Sequence, residues 1–384
     1  YGLLQAAAIK VQINLGARGV AGQNGADANT ATKLISDELA LFFCNKISLT
    51  SHSKEIEALT PYSQLAKFLH MSREQQAGLS DAMQRGFDPL GGGDNMDISP
   101  ASQTDAAGHI AGAEIVTFYI PLLFSFTDSI STALDVSFLE ELEIVCDVAR
   151  KQDLFGVGEG FQAAVTLESS QLICYYHNLD NKHQKALQDA QFNLSSGAPL
   201  TCLYANAFEE NSIAMTAAAA GDILEFTLNL SCKHLVFETC VSAEVNAGYA
   251  EGNRPYTRGT GSQAQIVSAE LFMSGRSIWR TTGIESTCLE SALLGNQRGR
   301  SPGLMNGAVT NDARMVCICW SNDVKEALSG MTGALSFKGA SSPQLIVRVK
   351  AAEPTAHNLY VTHRYYSATS FSGSDGRVSS GLNL

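Results

Sequence analysis

Leu139-Glu140-Glu141-Leu142-Glu143-Ile144-Val145-Cys146-Asp147-Val148-Ala149 is the most regular stretch of the chain. Successive side chains of a β-strand point to opposite faces, so Leu142, Ile144, Cys146 and Val148 share one side while Glu141, Glu143, Val145 and Asp147 share the other. One buried face and one wet face predict a strand of an antiparallel sheet. The same solvated face accounts for Glu140, Glu141 and Glu143. Cast as a glycosidase pair they would need a second carboxylate at a readable spacing, and none is present.

Upstream, Ile115 to Phe126 is a long apolar run containing Pro121, which cannot donate a ladder hydrogen bond and so marks an edge, bulge or bend. Leu39–Phe43, Ile47–Ser51 and Glu55–Leu59 read as further strands. Pro61 opens a helical passage to about Arg85, with Leu65, Phe68, Leu69, Leu79, Ala82 and Met83 recurring at three and four. Downstream come Phe161–Leu167, Leu172–Tyr176 and a helix-like Asp180–Phe192. Then follow Leu200–Phe208, Ile223–Leu230, His234–Val245, Ala264–Phe272, Ile278–Thr281, Met315–Trp320, Gly333–Phe337, Leu345–Lys350 and Leu359–Ser367, with a short helix at Leu289–Leu294. Strands dominate and no alternation of strand and helix develops. The class is therefore all-β sandwich, not a doubly wound parallel sheet.

The two halves resemble each other. Ile115–Phe126, Thr127-Asp128-Ser129, Leu142–Val148 and Tyr175-Tyr176 run parallel to Val316–Trp320, Ser321-Asn322-Asp323, Leu345–Val349 and Tyr365-Tyr366, roughly 190 to 205 residues later. That distance is too long for a solenoid and suits a duplicated sandwich. The expected division is an N-terminal arm and linker over 1–33, a first domain over 34–195 and a second, with a C-terminal tail, over 196–384. Within the arm, Leu3, Leu4, Ala7, Ala8, Ile9, Val11 and Ile13 form an apolar segment whose only charge is Lys10, and Gly16 to Asn29 is rich in Gly, Asn and Ala. An amphipathic arm on a flexible tether is one reading of that segment, a helix packed on its own domain the other.

At this point the chain resembles the double jelly-roll major capsid proteins of tailless icosahedral viruses and bacteriophages, many of them with an internal membrane. The resemblance is carried by Ile120-Pro121-Leu122-Leu123-Phe124-Ser125-Phe126 through Leu139–Ile144, and by Cys319-Trp320-Ser321-Asn322 through Leu328–Phe337 to Pro343-Gln344-Leu345-Ile346-Val347. Ser336 stands where the family more often has Asn. The closing strand Leu359–Tyr366, trailing into Gly376-Arg377-Val378, is also similar. The resemblance implies two tandem eight-stranded jelly rolls with a few short helices, and a non-enzymatic structural protein of the virion made in the host cytoplasm. It further implies a homotrimeric, pseudo-hexagonal capsomer that contacts neighbouring capsomers and penton or minor capsid proteins. The arm, with Leu3, Leu4, Ile9 and Val11, would face the shell floor or an inner viral membrane.

Composition agrees with a self-packing protein. The 384 residues are 45% hydrophobic and 17% charged, enough apolar surface to offset chain entropy. A formal charge of -12 is the wrong sign for wrapping nucleic acid. No 18-residue apolar run predicts a transmembrane helix, and no charged-then-apolar secretory signal opens the chain. Nine scattered cysteines in apolar runs point to a reducing site of synthesis. Cys317-Ile318-Cys319 is the one close pair, and without a neighbouring His or second pair it completes no zinc set. Eight isolated histidines, including His177, His183, His357 and His363, show no ligand spacing.

Other motifs reduce to turns or loops. Gly156-Val157-Gly158-Glu159-Gly160 lacks the Lys and helix of a phosphate loop, and Asp94-Asn95-Met96-Asp97 lacks the spacing of a calcium loop. Arg276, Arg280, Arg298, Arg300 and Arg314 suit carboxylate contacts between subunits. No catalytic, cofactor-binding or metal-ligating residue is predicted, and no cofactor. Two other functions fit a pair of sandwiches: a carbohydrate-binding or carbohydrate-active protein using Trp279 or Trp320 as an aromatic platform, and a phage spike or tail protein.

Overall fold

The structure is a computed structural model that describes residues 2–18, 39–51, 53–71, 75, 78–79, 82–83, 112–128, 133–136, 141–150, 166–186, 189, 200–211, 214–246, 265–282, 315–321, 332–338, 342–351, 354, 356–372 and 377–380. Seven strands belong to the first half: β1 (Gly2–Arg18), β2 (Cys44–Ser51), β3 (Lys54–Leu59), β4 (Gly112–Pro121), β5 (Leu134–Asp135), β6 (Leu142–Val148) and β7 (Thr166–Asn178). Helices α1 (Leu39–Phe42) and α2 (Pro61–His70) flank β2 and β3 in the chain. The second half runs through β8 (Leu200–Asn211), β9 (Met215–Thr216), β10 (Ile223–Asn229), β11 (Leu235–Asn246), β12 (Gln265–Met273), β13 (Arg276–Thr282), β14 (Met315–Cys319), β15 (Leu335–Ser336), β16 (Gln344–Lys350), β17 (Ala356–Ser372) and β18 (Arg377–Ser380).

The sheets repeat. In the first half β1 is a hub pairing β4, β5 and β7, and a second sheet runs β3-β2-β6. In the second half β11 is the hub pairing β14, β15 and β17, and its opposing sheet runs β13-β12-β16. Strand for strand, one half reproduces the other. The second half adds β10 beside β16, and β8, β9 and β18 beside β17. Every strand pair is antiparallel. The internal similarity of the sequence is thus a duplication of topology, two sandwiches in tandem. The division at 195/196 falls in residues 190–199, outside the described residues.

This duplication explains the fate of residues 2–18. Expected as an arm, they form β1, the counterpart of the hub strand β11. Ile9, Val11 and Ile13 are held between Ile120, Phe118 and Val116 of β4 on one side and Leu172, Ser170 and Leu167 of β7 on the other. Leu4 and Val11 are buried in the first core, while Leu3 and Ile9 are half-buried. An interior strand must satisfy its backbone on both edges, and β1 does so over most of its length.

Leu39–Phe43 departs from the expected strand as well. It begins as α1, and Ala40, Leu41, Phe42 and Phe43 are all buried. A short apolar run has no wet face, so its period does not separate helix from strand. β6 keeps its predicted pattern at Leu142, Ile144 and Cys146, which turn inward, and at Glu141 and Glu143, which are exposed; Val148, at the strand end, is exposed instead of buried. Between β12 and β13 the tight turn Ser274-Gly275 has φ of 52° and 75°, and Met273 pairs with Arg276. Two positive φ values match the twist of the flanking strands, which is why a Gly stands there.

Candidate functional site: the seam between the two sandwiches

The hub sheet of the second half is covered on both faces. Val241 and Ala243 of β11, Val316 and Ile318 of β14, and Leu359 and Val361 of β17 face the second core. The opposite face, with Cys240, Cys317 and Tyr360, joins the core of the first half. Helix α2 closes that contact. Its start is fixed by a capping box, in which the Thr60 hydroxyl accepts from Ser63 N at 3.3 Å and Ser63 Oγ accepts from Thr60 N at 2.9 Å, followed by Pro61. So anchored, α2 stacks Tyr62 on Tyr360 with ring centroids 5.0 Å apart and aims His70 at β11.

Three buried polar groupings cross or brace this seam. Ser125 donates from N (2.9 Å) and Oγ (2.8 Å) to the Glu57 carboxylate, and the same hydroxyl accepts from Ala205 N of β8 at 2.9 Å. Nearby, Ala58 N donates to Asn206 Oδ1 at 3.2 Å. Lys67 of α2 donates to the Leu123 carbonyl at 2.7 Å and pairs with Asp128 at 2.9 Å. Burial pushes Glu57 up to about 7, against the opposing pull of Lys67 and Ser125.

The third grouping is the most enclosed. A one-residue bulge between Val236 and Glu238 sets Glu238 directly opposite Arg364 of β17. Glu238, wholly buried, accepts from Arg364 Nη1 at 2.6 Å through Oε2 and contacts His70 Nε2 through Oε1. Arg364 also lies over the Phe237 ring, 5.0 Å from its centroid. Burial alone would raise the Glu238 carboxyl, but the charges of His70 and Arg364 outweigh it and hold the group at about 2. Burial works against the His70 cation too, and the Glu238 charge with a Cys317 hydrogen bond holds it up at about 9.

Cys317 completes the cluster. Its ladder partner Cys240 donates to it, Sγ to Sγ, at 2.8 Å. Ligand atoms of His70, Glu238 and Cys317 all lie within 4.8 Å of one another. The cysteine that the sequence paired with Cys317 was Cys319, which instead contacts the Ser321 hydroxyl at 3.6 Å. The partners that matter, His70 and Cys240, are 247 and 77 positions from Cys317 in the chain, a distance no local motif spans.

The other candidates separate. His177 and His183 are exposed, and His357 and His363 are buried. Thr239 Oγ1 lies 2.9 Å from His363 Nδ1 and accepts from Trp320 Nε1 at 3.0 Å. Trp279 meets Trp320 edge to face at 5.8 Å, both against the second core, so Trp320 spends its N–H inward and offers no open platform. Arg276 and Arg280 are exposed. Asp94–Asp97, Gly156–Gly160, Leu289–Leu294, Arg298, Arg300 and Arg314 lie outside the described residues. No helix among the described residues is long and apolar enough to cross a membrane.

No protein-family model matches the sequence, and no curated protein matches it. Solved structures do match the fold. The capsid of PBCV-1 virus aligns over 100% of this chain and 91% of its own with a TM-score of 0.62 and 14% identity. The Faustovirus major capsid protein aligns over 96% and 86%, at 0.58 and 8%. The mavirus major capsid protein aligns over 100% and 85%, at 0.54 and 12%. With the duplicated hub-strand topology, these likenesses define the chain's architecture as a double jelly roll.

Proposed function

We propose that the chain is the major capsid protein of an icosahedral virus, assembling as a homotrimer with a pseudo-hexagonal outline. The observation that carries this reading is end-to-end likeness: the alignment with the PBCV-1 capsid chain covers 100% of this chain and 91% of that one. Three copies of two similar domains approximate six positions around an axis, which lets one chain tile a shell. Leu167, Leu172, Tyr175 and Tyr176 are exposed along β7, apolar area that contact between copies would cover. In the virion the capsomers would meet one another and separate penton or minor proteins, leaving the genome to another component. An inner membrane remains part of the proposal, but contact through Leu4 and Val11 does not, since both are committed to the core.

Light scattering behind size exclusion tests the trimer: the expected species has about three times the 40.9 kDa chain mass. A monomer at high concentration and at low ionic strength would overturn it. Electron microscopy of particles from the native source then asks whether the protein tiles a shell.

A further inference from the structure

We infer that His70, Glu238, Cys240 and Cys317 form a binding site for a thiophilic divalent cation, of the zinc class, that staples the first jelly roll to the second. The side chains come from α2, β11 and β14, so one ion would join both halves of the chain. An imidazole, a carboxylate and a thiol come together, with a second thiol beside the first, and these are the donor types of a zinc site. His70, Glu238 and Cys317 present ligand atoms within 4.8 Å of one another, and Cys240 Sγ is 2.8 Å from Cys317 Sγ. All four residues are buried, as closed structural sites require.

Charge and orientation support the assignment. Glu238 offers Oε1 toward His70 while Oε2 is held by Arg364 Nη1 at 2.6 Å, so the second oxygen is anchored by an outer partner, a common arrangement for a metal-binding carboxylate. Two thiolates and one carboxylate would carry three negative charges, balanced by the cation and the Arg364 guanidinium. The cluster is then neutral inside a dry seam, where an unmatched charge is costly. Cys317 hydrogen-bonds the His70 ring as well as Cys240, so imidazole, carboxylate and thiols already meet at one place in the seam. Binding displaces the proton between His70 and Glu238 and those of the two thiols to solvent, with no change of oxidation state.

The test uses the full chain, purified in reducing buffer, stripped with a chelator and titrated separately with Zn²⁺ and Co²⁺. One tight equivalent is expected, and Co²⁺ should give an intense thiolate-to-cobalt charge-transfer band with tetrahedral visible bands. In urea below the unfolding midpoint, where local opening exposes these buried thiols, Zn²⁺ should slow alkylation of Cys240 and Cys317, mapped by mass spectrometry, and leave the half-buried Cys174 and Cys146 unchanged. Cys317→Ser should abolish the cobalt band. If that variant fails to fold, protection mapping on the unaltered chain decides alone. Absence of both the band and the protection overturns the site, as does a bound ion that leaves Cys240 and Cys317 reactive. Recovery of the reduced preparation with Cys240 and Cys317 joined as a disulfide, inert to both ions, also overturns it.

Discussion

At the residue scale, the seam stakes stability on buried charge. Glu57 sits at about 7 in the folded chain against an ordinary 4.5, with Lys67 of α2, Ser125 and Asp128 facing it. Between those values the folded state keeps a proton that the unfolded state has released, so stability is greatest below 4.5 and falls as pH rises through 7. The total is about 3 kcal/mol. His363, pushed down by burial to about 4, acts oppositely, adding stability as pH rises from 4 to 6.5. Comparing the chain with Glu57→Gln separates the two, since Gln keeps an acceptor for Ser125 but does not ionise. Between pH 4.5 and 6.5 the two effects oppose each other in the parent, so its urea midpoint should stay nearly level while that of the variant rises with pH. Above 6.5 both should fall as His70 loses its proton, and equal slopes below 6.5 would contradict the assignment. Arg364→Met makes a different point. It leaves the Glu238 carboxylate buried with His70 alone, and breaking such a pair costs about 3–5 kcal/mol. Pairing it with Glu238→Gln should recover part of that loss in a double-mutant cycle, whereas strict additivity would mean the two side chains do not interact.

At the scale of elements, β1 carries the sharpest consequence. A dispensable arm could be removed with the fold intact, but a hub strand cannot, because β4, β5 and β7 all pair with it. Deleting residues 1–18 should therefore abolish cooperative unfolding of the first half, read by near-ultraviolet circular dichroism and urea titration. Ile13→Ala should cost about 2–5 kcal/mol and the half-buried Lys10→Ala about 0.5 kcal/mol or less. A folded, soluble truncation would return these residues to the role of an arm. The strand was hard to read for a physical reason. Its register with β7 slips between Leu4 and Ala6, so the buried side chains change parity from Leu4 to Ala7, Val11 and Ile13 and alternation is lost. Strands with one wet face were legible instead: β10 alternates buried Leu224, Phe226 and Leu228 with exposed neighbours, and β6 announces itself through its glutamates. The helix start at Thr60-Pro61 was legible because capping is local. The seam cluster was not, since its three contacts join residues 168, 126 and 77 positions apart and only the folded chain brings them together.

At the scale of the whole molecule, the duplication raises the question of whether each jelly roll is self-sufficient. Its topology says yes, as each half has a hub sheet, an opposing sheet and its own core. Its seam says no. The outer face of the β11-β14-β17 sheet carries Glu238, Cys240, Cys317, Tyr360 and Arg364, and in an isolated second half these would lose His70, Tyr62 and the rest of the first core. The first half would in turn expose Tyr62 and the His70 end of α2, and Ser125 would lose Ala205. Interfaces between domains of one chain are commonly polar and loose enough to permit motion, but this one encloses a salt-bridged cluster continuous with a hydrophobic core. Expressed alone, residues 1–195 and 196–384 should each be insoluble or bind hydrophobic dyes as loosely packed species, while coexpression should restore a soluble complex. Two stable, non-associating monomers would show that the seam contributes little. If the halves do depend on each other, the pseudo-hexagonal unit proposed for the trimer is rigid within each chain, and any adjustment needed to curve a shell falls to the contacts between chains.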